Sequence, residues 1–445
     1  MILLNISQES VNIPLWSVIP FVLMLLMIAI APLFMEHWWE KNRNKLIVSL
    51  ILGVPTAIFL IAKGLSENLT DQLLFDYIPF IILLGALFTV TGGIHLKGDI
   101  AAKPWINTLF LAIGAILASI MGTTGAAMLL IRPVIKTNKI RKYKTHTILF
   151  FIAIIANCGG VLTPLGDPPL FLLYLRGVEF TWFLNLLPQW VLVNGLLLLI
   201  YFIWDSILYK KEDAKNITNE KTEKQPIKIV GALNFLWLAG IVAAVAFITS
   251  NNFFNKAEDI KEHANMFKII ESAALVLMAV LSMVFTKKVV REANKFSWAP
   301  ITEVAFLFLG IFITMVPALL YLATNADSLG ISEPWHFYYA TGALSSFLDN
   351  APTAISFYEL AHGSNFTDLA REPMIAGIPQ TIMKCITSGA VFFGAMTYIG
   401  NGPNFMVKAI AEENKISMPS FFGYIIKFSL IVLLPVYILA KLLCF

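Results

Sequence analysis

The chain has 445 residues, of which 58% are hydrophobic and only 13% charged, with a net charge of +4 and a mean hydropathy of +0.76. A soluble domain carries about 25% charged residues, so a water-facing surface cannot be built from this supply. There is no GxxxxGK[ST] phosphate loop, no HExxH and no CxxC, and the longest polar stretch, 210–228, is too short for a nucleotide-hydrolysing domain. What remains is an all-α polytopic membrane protein with no fuel-burning part and no cofactor. The positive charge reads as cytoplasmic loops and not as a nucleic-acid surface. Cys158, Cys385 and Cys444 are an odd set in or beside apolar runs, so no disulfide framework is expected.

Residues 1–14 lack a basic leader and an A-x-A-like cleavage site, so the first apolar run reads as a retained helix. Apolar segments follow near 14–35, 45–64, 75–95, 104–134, 146–175, 181–209, 229–249, 268–286, 302–323, 336–361, 380–410 and 420–444. Segment 104–134 has Lys97 and Lys103 before it and Lys136, Lys139, Arg141, Lys142 and Lys144 after it. Basic flanks at both ends put both ends in the cytoplasm, which makes the segment a re-entrant hairpin. Segment 336–361, flanked by Glu333 and by Asp368, Arg371 and Glu372, plays the same part from the opposite face. With two hairpins, ten segments span and both termini lie outside. The cytoplasmic stretches then hold 23 of the 32 Lys and Arg, against eight at outside ends. That bias sets the orientation.

The two halves repeat. Residues 84–89 (LGALFT) align with 309–314 (LGIFIT), 117–121 with 344–348, and 160–169 (GVLTPLGDPP) with 394–403 (GAMTYIGNGP). Each copy crosses in the opposite sense, which is a transporter architecture with sites at the repeat interface. The expected organisation is a first repeat over 1–209, a cytoplasmic linker over 210–228 and a second repeat over 229–445. Each repeat carries a hairpin (104–134, 336–361) and a broken helix (146–175, 380–410).

Four polar breaks interrupt the apolar runs: 157–169, with three prolines and three glycines, its counterpart 397–404, and the hairpin tips at 122–125 and 349–353. Proline and glycine cannot sustain a helix there. Irregular backbone at membrane depth is tolerated only inside protein or beside a wet cavity. Asp167 and Asp349 are the carboxylates at these breaks, and neither has a Lys or Arg beside it in sequence. An ionised Asp at the bilayer centre costs about 2.5–3.5 kcal/mol, so it is expected to face a cavity and to function. Thr123, Thr124, Asn157, Thr163, Asn350, Thr353, Thr397, Asn401 and Asn404 add the neutral oxygens an alkali cation needs when it sheds water. One carboxylate that holds either Na⁺ or H⁺ couples the two movements. Glu303 and Glu359 read as interfacial, Lys384 as a snorkelling residue, and His336 and His362 as flanks of the second hairpin.

The segments IANCGGVLTPLGDPPLF, GTTGAAMLLIRP, SSFLDNAPTAISF and GNGPNFMVKAIAEE resemble NhaD-type sodium/proton antiporters. These belong to a superfamily that includes ArsB arsenite carriers and citrate/dicarboxylate carriers. The resemblance spans nearly the whole chain. It implies inverted repeats with hairpins and broken helices, a homodimer with elevator-like movement, and residence in the cytoplasmic (inner) membrane of a bacterium. Dicarboxylate carriers of this group place Ser-Asn-Thr at both tips. Here the tips read Thr123-Thr124-Gly125 and Asp349-Asn350-Ala351, and an acid in the pocket repels a polyanion. The expected function is exchange of Na⁺ or Li⁺ for H⁺ at Asp167 and Asp349. The alternative is an anion carrier for arsenite or a dicarboxylate. A channel or a membrane-embedded enzyme forms a third class, but no nucleophile–base pair is visible for the enzyme.

Overall fold

A computed structural model describes residues 13–99, 101–212, 225–254 and 257–445. Residues 1–12 and most of the expected linker lie outside the described residues. The main helices are α1 (Ile19–Phe34), α2 (Asn42–Ala62), α3 (Ile78–Thr91), α4 (Pro104–Met121), α5 (Thr123–Thr137), α6 (Thr145–Ile154), α7 (Pro168–Leu175) and α8 (Leu187–Tyr209) in the first half. The second half has α9 (Asn234–Phe247), α10 (Ala257–Phe285), α11 (Ala299–Asn325), α12 (Pro334–Ser345), α13 (Asn350–His362), α14 (Gln380–Phe393), α15 (Gly402–Glu413) and α16 (Leu434–Cys444). Nine helical stretches among the described residues are long and apolar enough to cross a bilayer. The chain is an all-α polytopic membrane protein, and its most exposed side chains include Leu442, Phe422 and Val284. Such residues suit a lipid-facing surface and would be a liability in water.

The structure differs from the expected ten spans in three places, one of them the run 380–410, which is broken into α14 and α15 and offers no single helix of spanning length. The run 229–249 yields only α9, with 14 residues, about 21 Å of helix and short of a full crossing. Helix α4, expected as one arm of a hairpin, has 18 residues and reaches spanning length alone. It nevertheless turns straight back into α5 through Gly122, whose φ of +82° favours glycine. A short antiparallel ladder pairs β1 (His95–Asp99), just before the first hairpin, with β2 (Gln225–Val230), at the end of the linker. The apolar pattern did not signal it, because these strands are short and mix charged with apolar residues.

The halves share local geometry. Helix α6 passes through a 3₁₀ turn (Cys158–Leu162) and an extended stretch before α7, and α14 passes through Gly394–Met396 in the same way before α15. The residues just before the second half-helices are both extended: Asp167 at φ −148°, ψ 147° and Asn401 at φ −149°, ψ 140°. Two bodies of helices pack together. One contains α1, α2, α3, α9, α10 and α11, and the other contains both hairpins and both broken helices, with α13 against α11 and α5 against α3 at their border.

Candidate functional site

Proline just after the break is what aims the two central side chains. Pro168 and Pro403 sit in the first turn of α7 and α15, where a missing N–H costs nothing. The preceding residues are therefore N-caps, yet neither Asp167 nor Asn401 bonds its own helix. Both side chains are free to meet across the halves. Asn401 Nδ2 donates to Asp167 Oδ1 at 3.1 Å, and Thr123 Oγ1 donates to the same oxygen at 2.7 Å. Asn350 Nδ2 donates to Asp167 Oδ2. Thr123 and Asn350 are the first residues of α5 and α13. Four helix N-termini therefore converge on one carboxylate, and all four of these side chains are buried.

Each N-terminus contributes about half a positive charge, and the three donors are neutral. No Lys or Arg forms an ion pair with Asp167 or Asp349 among the described residues. Asn350 Oδ1 is buried without a partner. The centre is thus a carboxylate and an orphan amide oxygen with no side-chain cation. A cleft of about 80 Å³ reaches it, lined by Leu87, Gly122, Thr123, Thr124, Asp167 and Ile301 among others. That volume admits a few waters or a partly hydrated ion.

The other expected ligands divide by what their atoms already do. Thr163 Oγ1 donates to the Ser119 carbonyl and accepts from Leu165 N at 3.2 Å. Its counterpart Thr397 donates to Ser346 O at 2.5 Å and accepts from Gly400 N at 3.1 Å. Each hydroxyl ties a hairpin tip to its broken helix. Asn157 Nδ2 donates to Ile152 O at 2.8 Å and to Asn404 Oδ1 at 2.7 Å, while Asn404 donates to Gly394 O and Thr397 O. Asn401 also donates to Asn157 Oδ1 at 3.2 Å. Asn157 and Asn404 therefore stand one step behind the carboxylate and join the halves. Thr124 is half-buried on the cleft wall.

Asp349 is placed differently from Asp167. It is half-buried, and its Oδ1 caps α13 by accepting from Ala351 N at 3.0 Å. It lies within electrostatic reach of Asp167 but outside the hydrogen-bonded cluster. Thr353 Oγ1 donates to the Asp349 carbonyl at 2.8 Å, which stiffens the same turn.

Sequence reading passed over two buried ionic clusters. At the foot of α4 and α5, away from the hairpin tip, Arg141 pairs with Asp205 at 2.7 Å and Glu212 at 3.1 Å, and His146 meets Asp205 at 2.9 Å. Burial opposes ionisation of Glu212, but the backbone N–H groups of Tyr143 and Lys142 and the Arg141 guanidinium outweigh it. They hold its carboxyl below the usual range. At the opposite end, Arg176 pairs with Asp76 at 3.2 Å and Glu359 at 3.5 Å. Glu303 pairs with Lys45 at 2.7 Å. Asp76, Asp205 and Glu271 are acids within apolar runs, the same signal that singled out Asp167, but their distant partners are invisible in one sequence.

The profile of a family described as "Putative citrate transport" matches residues 10–445. The chain is also 23% identical over 288 residues to the inner membrane protein YbiR of Escherichia coli (strain K12), covering 62% of this chain and 69% of that protein. With its apolar helices, this places it as a multi-pass inner-membrane protein. A profile match over almost the whole length, on a fold of hairpins and broken helices meeting at one buried carboxylate, leads to one conclusion: the chain belongs to this citrate-transport family of membrane transporters.

Proposed function

We propose that this protein is a secondary transporter that exchanges Na⁺ (or Li⁺) for H⁺ across the cytoplasmic membrane, with Asp167 holding either ion. The observation that carries this reading is a buried carboxylate facing only neutral donors, beside an unpaired amide oxygen. An ionised Asp at such depth costs about 2.5–3.5 kcal/mol on insertion scales. A proton removes that cost, and so does a cation bound to Asp167, the Thr123 hydroxyl and the Asn350 and Asn401 amide oxygens. The two cannot bind together, which is what couples their movements. Asp349, the first residue of the second tip, adds a negative charge on the approach and favours a cation there. Two inverted repeats with re-entrant hairpins would let the bundle carrying Asp167 face either side of the membrane in turn.

A second reading, an anion carrier for citrate or a related dicarboxylate, draws on the family description and on the four converging helix N-termini, which favour anions. Under it Asp167 would be protonated and donate to the substrate. Everted membrane vesicles separate the two. Under the exchange reading, Na⁺ collapses a preformed ΔpH in the native protein and not in Asp167→Asn or Asp349→Asn. Unchanged exchange in both variants rejects these roles. Under the anion reading, radiolabelled citrate accumulates and Na⁺ has no effect on ΔpH.

A further inference from the structure

The ionic cluster at the far end of α7 does not balance. Arg176 lies between Asp76 and Glu359, and Lys268 Nζ is 3.7 Å from Asp76 Oδ1. Glu271, three residues beyond Lys268 on α10, is only 4% exposed and forms no ion pair among the described residues. The cluster therefore holds three carboxylates (Asp76, Glu359, Glu271) against two cations (Arg176, Lys268). The other titratable groups facing it are Asp71, within electrostatic reach of Asp76 and Lys268, Tyr174 on α7, Tyr358 on α13 and Glu179 on the loop after α7, none of them basic. A surplus carboxylate buried in an apolar span needs a proton or a cation.

Tyr174 indicates which. Its Oη is 3.0 Å from the Val245 carbonyl and 3.0 Å from Glu271 Oε2. A phenol has one proton to give, and a carbonyl can only accept. Val245 lies in the last turn of α9, where carbonyls lack helical partners. If Tyr174 donates to Val245, the contact with Glu271 is a hydrogen bond only when Glu271 is the donor, and so carries a proton. If Glu271 is ionised, Tyr174 turns to it and the Val245 carbonyl is left without that bond. Loss of one proton thus breaks the link between α7 and α9, while the link between α7 and α10 persists with its donor and acceptor exchanged. A cleft of about 610 Å³, lined by Tyr174, Glu179, Thr249, Phe253, Lys268 and Glu271 among others, reaches this point.

We infer that Glu271 is a second proton-binding site, separate from Asp167 and reached through this cleft, and that Tyr174 passes its charge state to α7. Helix α7 has eight residues, with Asp167 as its N-cap and Tyr174 in its last turn. A change in the link at Tyr174 therefore acts on the same rigid element that positions the central carboxylate. The proton site itself stands without the exchange reading, and only its effect on transport rests on that reading.

The test is infrared difference spectroscopy on the purified full-length protein in lipid, recorded on a pH step. A protonated-carboxyl C=O band is expected that disappears in Glu271→Gln, moves in frequency in Glu271→Asp and survives in Asp167→Asn. Tyr174→Phe keeps the band but changes its frequency and the pH at which it titrates. A band set unaltered by Glu271→Gln overturns the proposal. If that variant does not fold, an identical spectrum in Tyr174→Phe and the native protein overturns it instead. The assignment stands if the band behaves as expected while vesicles show no Na⁺-dependent proton movement. That combination rejects only the exchange reading.

Discussion

Asn401 Nδ2 lies 3.1 Å from Asp167 Oδ1, and the two residues occupy the same place in the two halves, each the extended N-cap of a half-helix. The pair is chemically asymmetric on a symmetric frame. Two acids at this separation could not both ionise, whereas an acid and an amide leave one carboxylate and one hydrogen-bonding partner. The position of the charge between the halves is therefore less important than its being single. Asp167→Asn is expected to reduce Na⁺-dependent proton movement by at least about tenfold, equivalent to ~1.4 kcal/mol. The transposed double variant Asp167→Asn/Asn401→Asp is expected to recover measurable exchange in everted vesicles. Failure of the transposition with a folded protein would show that the four surrounding N-termini are not equivalent.

Thr123 and Thr397 should differ in their effect on binding. Thr123 donates to the carboxylate itself, so Thr123→Val removes a charge-assisted bond worth about 1.5–3 kcal/mol. The apparent Na⁺ affinity in vesicles should fall roughly tenfold or more, alongside a lower unfolding temperature. Thr397 instead ties Ser346 to Gly400. Thr397→Val should lower the unfolding temperature in detergent, and the affinity of the surviving folded protein should stay close to native.

The close approach within the first break gives a steric prediction. A Cβ on Gly166 would lie 1.9 Å from the Gly160 carbonyl oxygen, backbone that cannot yield cheaply. Gly166→Ala should destabilise by about 1–3 kcal/mol. Gly195, on the exposed face of α8, meets nothing within 4 Å. Gly195→Ala should be neutral or stabilise by up to about 1 kcal/mol. Thermal unfolding of the two variants side by side checks both signs.

The hairpin tips and broken helices were legible in sequence because proline, glycine and acids are costly at membrane depth. The alignment of Asp167 with Asn401 followed from the repeat. Which side chains touch was less legible. Thr163 and Thr397 offered oxygens of the right kind, but the structure uses them to bond Ser119 and Ser346. Asp349 matched Asp167 in type and depth, yet its position at the start of α13 directs it to its own backbone. The ionic clusters were out of reach for another reason. Arg176 and Glu359 are far apart in sequence, and each alone resembles an ordinary segment end.

Glu212 provides a pH test outside the membrane. Its carboxyl is held below the usual range, so its contribution to stability is present above the unfolded-state pKa and is lost as pH falls through the folded-state value. Glu212→Gln should therefore unfold at lower temperature than the native protein at neutral pH. The gap should close as the pH is taken below the ordinary carboxylate range. A gap independent of pH would mean that the contacts to Arg141, Lys142 and Tyr143 act through packing alone.

The central claim is that a single unpaired carboxylate exchanges a cation for a proton. Its most direct test is simultaneous recording of proton and Na⁺ flux in proteoliposomes, for the native protein and Asp167→Asn, with radiolabelled citrate present. The account predicts coupled, opposite fluxes in the native protein, loss of both in the variant, and no citrate uptake. Citrate accumulation without Na⁺-linked proton movement would contradict it.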